Sequence, residues 1–229
     1  MGREGRNGER PLIIFDCNGV LVDSEAIAAT VASQEFARIG LSVPPALVVR
    51  FFAGRKPADM LADIEAATRK RLPPGFGTQL GQSVLDRLRS EVRATAHIQH
   101  ALAWLRGSKC VASSSPLDRV RASLEATDLL RFFEPRIFSA SQVARGKPAP
   151  DLFLHAARQM KVAPADCIVV EDSPAGVTAA HAAGMAPIGF IGGSHAADNL
   201  APLLVDAGAR TVISDMRSLK SAVMSLRGW

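Results

Sequence analysis

The side chains able to do covalent chemistry in this 229-residue chain fall at the ends of short apolar runs. Asp16 closes the first, in "FDCNGVLVDSE", and Asn18 follows two positions later. Ser113, Ser114 and Ser115 close a second, in "KCVASSS". Lys147 lies in "ARGKPAPD", just after a third, and Glu171 and Asp172 close a fourth, in "CIVVED". Each type has a use. A carboxylate can attack phosphorus and form an aspartyl-phosphate. Oxygen ligands on separate loops can hold Mg²⁺, which keeps waters and a substrate phosphate in the rest of its shell. A lysine supplies a point charge for phosphate oxygens. A serine hydroxyl and the free N–H groups of a helix start bind the same oxygens.

Taken singly, each has a plainer reading. Asp16 alone is a turn or cap acid. Lys147 between Gly146 and Pro148 is a surface lysine in a loop, "SSSP" a helix start, and Glu171–Asp172 two solvated acids. The conjunction changes the balance, and it depends on the elements that carry these residues.

Those elements alternate. The spacing predicts strands over 11–16, 109–114, 136–140, 167–172, 186–191 and 210–214, separated by helix-length amphipathic stretches. Val- and Ile-rich strands alternating with helices predict a parallel sheet with helices on both faces, an α/β Rossmann-like core. Ligands of such sheets sit at the carboxyl ends of the strands. That rim receives Asp16, the serines, Lys147 and the Glu171–Asp172 pair. Two helix starts lie there as well. Ser115 is placed as N-cap with Pro116 at the first helical position, and Ser173 with Pro174 repeats the form; Gly176 marks a close approach of backbone or ligand. From about Ser24 to Arg93 only helical patterns occur, punctuated by Gly40, Gly54 and "LPPGFG". This block predicts an inserted helical cap over 24–93. Its hinges fall near Val22–Ser24 and Arg93–His97, with the core made of 11–23 and 94–229.

Composition narrows the class. Hydrophobic residues make up 48% and charged residues 21%, as in a soluble globular protein. No apolar run approaches the roughly 20 residues a bilayer span requires. The opening "MGREGRNGER" has no apolar stretch and reads as a disordered tail over 1–10 rather than a secretion signal. The net charge of +5 is scattered, with no Tyr and few other aromatics, which argues against nucleic-acid binding. A modest positive field suits a small anionic substrate. Cys17, Cys110 and Cys167 show no metal-ligand spacing and are odd in number, pointing to a reduced cytoplasmic protein. Cys17 is read as a small buried residue rather than a nucleophile.

These segments together resemble the haloacid dehalogenase-like superfamily, in the branch of β-phosphoglucomutase and many small sugar phosphatases. "FDCNGVLVDSE", "VASSS", "GKPAPDLF" and "VVEDSPAGVTAAHAAGM" match its four motifs, and the likeness runs from about Pro11 to the C-terminus. The resemblance implies a Rossmann-like core with a helical cap after the first motif. It implies Asp16 as nucleophile, with Ser113 and the N–H of Ser114 binding phosphate and Lys147 bridging phosphate and nucleophile. It also implies Mg²⁺ held by Asp16, the carbonyl of Asn18 and Asp172, with Glu171 at the metal or just behind it. The cap loop "FAGRKPAD" would bring Arg55 and Lys56 toward the substrate, the alternative being a solvated cap surface. The chain departs from the family at "AHIQHALAWL", where relatives have Pro and Gly. His97 and His100 there, like His155, His181 and His195, are read as non-catalytic, with His195 the one that reaches toward the rim.

The second departure is Asn18, which stands where the family has its general acid/base Asp. Asn hydrogen-bonds but exchanges no proton at neutral pH, and such catalysis is worth roughly 10²–10⁴-fold. Binding should survive while turnover is impaired. An engineered trap, a slow natural enzyme and a non-catalytic descendant all fit. The expected activity is an Mg²⁺-dependent phosphatase acting on a small phosphorylated metabolite, a sugar or sugar-acid phosphate. The alternatives are a phosphomutase of the same family or a phosphate-ligand binding protein with little turnover. No nucleic acid or membrane partner is expected, and the chain is read as a monomer or small homo-oligomer.

Overall fold

The chain enters the core with four apolar residues, "LIIF", every one of them buried. The computed structural model describes residues 10–52, 54–105 and 107–226, without the side chains of 50–52. Positions 1–9 of the expected tail lie outside the described residues. The elements in order are β1 (Leu12–Phe15), β2 (Val22–Asp23), α1 (Glu25–Arg38), α2 (Pro45–Phe52), α3 (Pro57–Thr68), α4 (Phe76–Glu91) and β3 (Arg93–Ala94). They continue with α5 (Ile98–Trp104), β4 (Lys109–Ser113), α6 (Leu117–Ala126), β5 (Ile137–Ser139), α7 (Asp151–Gln159) and β6 (Cys167–Glu171). The chain finishes with α8 (Pro174–Ala182), β7 (Ala186–Phe190), α9 (Leu200–Asp206), β8 (Thr211–Ile213) and α10 (Leu219–Leu226).

Among the described residues six strands form one parallel sheet in the order β5-β4-β1-β6-β7-β8. Ile14 on the central strand pairs with Cys110 on one side and Val169 on the other. Alternate residues of β1 feed opposite faces. Leu12 and Ile14 pack with Leu152 and Phe153 of α7 and Ala179 of α8. Ile13 and Phe15 pack with Val120 and Leu124 of α6 and Leu219 and Val223 of α10. Burial on both faces explains why the strands read as unbroken apolar runs. Each fully buried aliphatic or aromatic side chain contributes about 1.5–3 kcal/mol. The strand order reverses at β1: the chain runs outward through β4 and β5, then returns to the other flank with β6.

Helices α1–α4 are inserted between β2 and β3, where the sequence predicts a cap. Phe36 of α1 stacks against Phe76 of α4 with centroids 5.2 Å apart. Beside them the buried Glu35 carboxylate accepts from Arg38, Gln79 and Ser83, so no charge is left unpaired there. The two links between cap and core lie side by side. β2 and β3 pair antiparallel, Val22 with Ala94 and Asp23 with Arg93. The sequence pattern missed this ribbon because two residues per strand carry no periodicity. It also missed α10. Before α5, His97 takes a left-handed conformation with φ 62°, a backbone state that glycine adopts without strain. Among the described residues no helix is long and apolar enough to cross a membrane.

Candidate active site

Asp16 is the first residue after β1, and its N–H still donates to Val170 of β6 at 3.0 Å. That bond fixes the carboxylate at the rim where the strand order reverses, the usual ligand position in an open α/β sheet. Lys147 reaches it from the loop before α7. Its ammonium donates to Asp16 Oδ1 at 2.5 Å, to Glu171 Oε1 at 2.6 Å and to the Ala112 carbonyl at 3.3 Å. It also lies 5.1 Å from the centre of the Phe153 ring. The Lys147 side chain is fully buried. Lysine is flexible and costly to bury, so only this set of partners holds it in one pose.

Glu171 is committed on both oxygens. Oε1 takes Lys147, and Oε2 accepts from Asp172 N, Ser173 N and Ser173 Oγ, each at 2.9 Å. Ser173 also caps α8, its hydroxyl accepting from Gly176 N at 3.0 Å, with Pro174 in the first turn. The close approach expected at Gly176 is made by this carboxylate. A Cβ there would lie 1.9 Å from Glu171 Oε1. With both oxygens engaged, Glu171 holds Lys147 in place.

The electrostatics follow from burial and charge count. Burial pushes the Asp16 carboxyl well above its ordinary range; Lys147 opposes this, and the Glu171 and Asp172 charges reinforce it. Burial disfavours the Lys147 charge, but Asp16 and Glu171 outweigh it and hold the lysine protonated. One ammonium thus faces three acids. Burial also pushes the Cys17 thiol far above its usual range, which removes it as a nucleophile.

Asp172 points its buried Oδ2 atom into this surplus of negative charge. Nε2 of His195 lies 2.8 Å away, so the two nearly fully buried side chains form an ion pair. Burial lowers the His195 pKa, but the Asp172 carboxylate outweighs it and lifts the value to about 9.

The serine loop departs from the expected helix start. The cap position of α6 is Pro116, with no side-chain cap bond, because Ser115 is engaged elsewhere. Its N–H donates to Ser113 Oγ at 3.2 Å, and its hydroxyl accepts from Asn18 Nδ2 at 2.8 Å. Ser113 Oγ keeps its own proton available for a ligand. Ser114 Oγ donates to the Gly54 carbonyl of the cap at 2.7 Å.

Asp16, Asn18, Ser114 and Ser115 line a cavity of about 350 Å³ between cap and core, and Ser113 and Lys147 lie buried behind them. Its opposite wall is apolar, with Ala32, Val48, Met60 and Leu80 from the cap. Glu25 and Arg119 also face it, and the sequence reading did not single them out. Each lies in the first turn of a helix leaving a motif, a position that marks the rim as well as the strand ends do. The two cap cations fall unequally. Arg55 lines the cavity and pairs with Asp63 at 2.6 Å. Lys56 turns away from it and donates to the carbonyls of Val143 at 3.1 Å and Ala144 at 3.4 Å. His97 lies at the surface, with Asp215 3.9 Å away, and the half-buried His155 packs edge-on against Phe138.

A model of the haloacid dehalogenase-like hydrolase family matches residues 11–184. The 6-phosphogluconate phosphatase of Escherichia coli is 30% identical over 184 residues, 80% of this chain and 83% of that protein. A conserved haloacid dehalogenase-like protein of Agrobacterium tumefaciens superposes with a TM-score of 0.82 at 38% identity, covering 95% of this chain and 99% of that one. A haloacid dehalogenase family hydrolase of Deinococcus radiodurans, solved with bound phosphate and sodium, gives 0.75 at 29% identity over 96% and 98%.

Proposed function

Because the chain belongs to the haloacid dehalogenase-like hydrolase family, we propose that it is a phosphatase acting on a small phosphorylated metabolite through an aspartyl-phosphate. The observation that carries this reading is the Lys147 ammonium held between Asp16 and Glu171 beneath the cavity that lies between cap and core. The substrate is of the sugar or sugar-acid phosphate class, in keeping with the phosphatases this chain is similar to. The core comprises 11–23 and 94–229, and the cap 24–93.

Asp16 attacks phosphorus, and the alcohol leaves from the cavity side. The Ser113 hydroxyl and the Ser114 N–H hold the phosphoryl oxygens, while Lys147 offsets their charge and keeps Asp16 aimed. Such preorganised donors act where water is excluded and are worth several kcal/mol at the transition state. Asn18 stands where the leaving alcohol requires a proton and where water must later lose one. It can orient either group but cannot exchange a proton, so turnover is slow.

Mg²⁺ fits the donors present. Asp16 and Asp172 bring two buried carboxylates to the rim, Lys147 on the first and His195 on the second. Among the described residues no three His, Cys, Asp or Glu side chains form a ready-made metal cluster. Mg²⁺ needs none, since it is bound by one or two carboxylates plus waters and substrate phosphate. Asp16, Asp172 and the Asn18 carbonyl would hold it, and it would neutralise charge on the transferring phosphoryl group.

A panel of phosphorylated metabolites, assayed with and without Mg²⁺, tests the reading. Metal-dependent phosphate release supports it. Tight binding without release favours a phosphate-ligand binding protein, the second reading, which Asn18 supports.

A further inference from the structure

We propose that Arg119 selects substrates that carry a carboxylate as well as the phosphate, its guanidinium holding that carboxylate inside the cavity between cap and core. The proposal rests on the phosphatase reading above and adds to it the residue that sets the choice of substrate. Among the described residues two arginines line the cavity, Arg55 and Arg119. Arg55 is engaged, paired with Asp63 at 2.6 Å. Arg119 is half-buried, and among the described residues its guanidinium forms neither an ion pair nor a hydrogen bond. Its Nε atom is buried without a partner, and only its backbone N–H is bonded, to Asp118 Oδ1 at 2.8 Å. Nearly all buried polar groups in proteins are paired, so a guanidinium left open beside a cavity points to a ligand.

The charges around it leave this cation undercompensated. Burial works against the Arg119 charge, and Glu25 offsets this only in part. Glu25 is itself a reluctant counter-ion. Burial, with Asp172 reinforcing it, pushes the Glu25 carboxyl above its ordinary range, although Arg119 and His195 oppose the shift. A guanidinium stays protonated in such surroundings, and an anion brought against it restores the balance.

The position fits as well. Arg119 lies in the first turn of α6, directly after the serine loop. A phosphoryl group on Ser113 and Ser114 leaves the rest of the substrate in the volume that Arg119 faces. The facing cap wall, with Ala32, Val48, Met60 and Leu80, gives a carboxylate no donor. The planar fork of arginine meets a carboxylate through two parallel N–H groups, which a hydroxyl cannot match. A phosphorylated acid should therefore bind better than the alcohol of the same skeleton. The rival role for Arg119 is structural, a charge that compensates Glu25 and touches no substrate. That role would affect all phosphates alike.

Titration calorimetry of the full chain in Mg²⁺ with 6-phosphogluconate and with sorbitol 6-phosphate separates the two roles. These ligands share the carbon chain and the phosphate and differ in a carboxylate against a hydroxymethyl group. The acid is expected to bind about 10-fold or more tightly, the usual worth of a charge-assisted hydrogen bond. Arg119→Gln should bind the two alike, Arg119→Lys should keep part of the preference, and Arg55→Gln should keep it whole. Equal affinity for the two ligands, no binding of either, or a preference that survives Arg119→Gln overturns the proposal. The phosphatase reading outlives each of these results as long as inorganic phosphate binds in Mg²⁺; if it does not, both fall. Should Arg119→Gln fail to fold, the preference measured in Arg119→Lys decides, and an unchanged preference there overturns the proposal.

Discussion

Asn18 and Ser115 are joined across 97 residues of sequence by a hydrogen bond of 2.8 Å, the amide donating to the hydroxyl. The bond ties the turn after β1 to the loop after β4 and leaves Asn18 Oδ1 buried without a partner. An aspartate fits the same space, because the Ser115 hydroxyl can rotate and donate instead of accepting. Asn18→Asp is expected to raise kcat on a sugar phosphate by roughly 10² or more. The gain should be smaller on p-nitrophenyl phosphate if formation of the aspartyl-phosphate limits turnover, since that leaving group hardly needs a proton. Steady-state kinetics of the two proteins on both substrates checks this. An equal rate on every phosphate tried would favour the binding-protein reading.

Asp16→Asn should leave no measurable turnover, with Asn18 or with Asp at that position. An amide cannot attack phosphorus, and neither Glu171 nor the His195-facing Asp172 is placed to replace it. The fold should persist, because the new amide oxygen can still accept from Lys147. Phosphate release and circular dichroism on the same preparations separate loss of chemistry from loss of structure.

Lys147 neutralises two buried carboxylates, so its removal bears on stability as well as catalysis. Lys147→Met keeps the length of the side chain but leaves Asp16 and Glu171 uncompensated. The expected loss is about 3–5 kcal/mol, the usual consequence of breaking a buried pair from one side. Urea denaturation should show it as a lower midpoint at unchanged slope. A loss below about 1 kcal/mol would mean that the acids find other compensation.

Besides the packing of α4 on α6, a short cap segment hydrogen-bonds the core at the rim. Gly54 accepts from Ser114 through its carbonyl, and Lys56 donates to Val143 and Ala144, just ahead of Lys147. Gly54 has φ +76°, and a Cβ there would stand 2.2 Å from Ser173 Oγ. Gly54→Ala is therefore expected to hold the cap off the core and lower kcat/KM at least about 10-fold, since closure excludes water and completes the site. Lys56→Ala should do so more mildly, with Lys56→Arg restoring part of the effect. Measured in the Asn18→Asp background, unchanged kcat/KM in Gly54→Ala would show that this contact does not govern closure.

The six strands of the sheet, the helical insertion and the strand ends at which the reactive side chains fall were all legible in the order of residues. The reason is local. A strand buried on both faces must be apolar throughout, and the first polar residues after it mark its carboxyl end, as Asp16, Ser114 and Asp172 do. What each side chain does at that rim was decided by contacts between segments far apart in the chain. Only the fold commits both Glu171 oxygens to Lys147 and the 172–173 turn. The fold also draws Ser115 away from capping α6 and turns Lys56 onto core carbonyls instead of the cavity. His195 shows the difference most clearly. The sequence marks it only as a non-catalytic histidine that reaches toward the rim, because an ion-pair partner leaves no trace in the residues beside it. The pairing of β6 with β7 sets its ring 2.8 Å from Asp172, and a slot that requires glycine at positions 19 and 193 keeps it there.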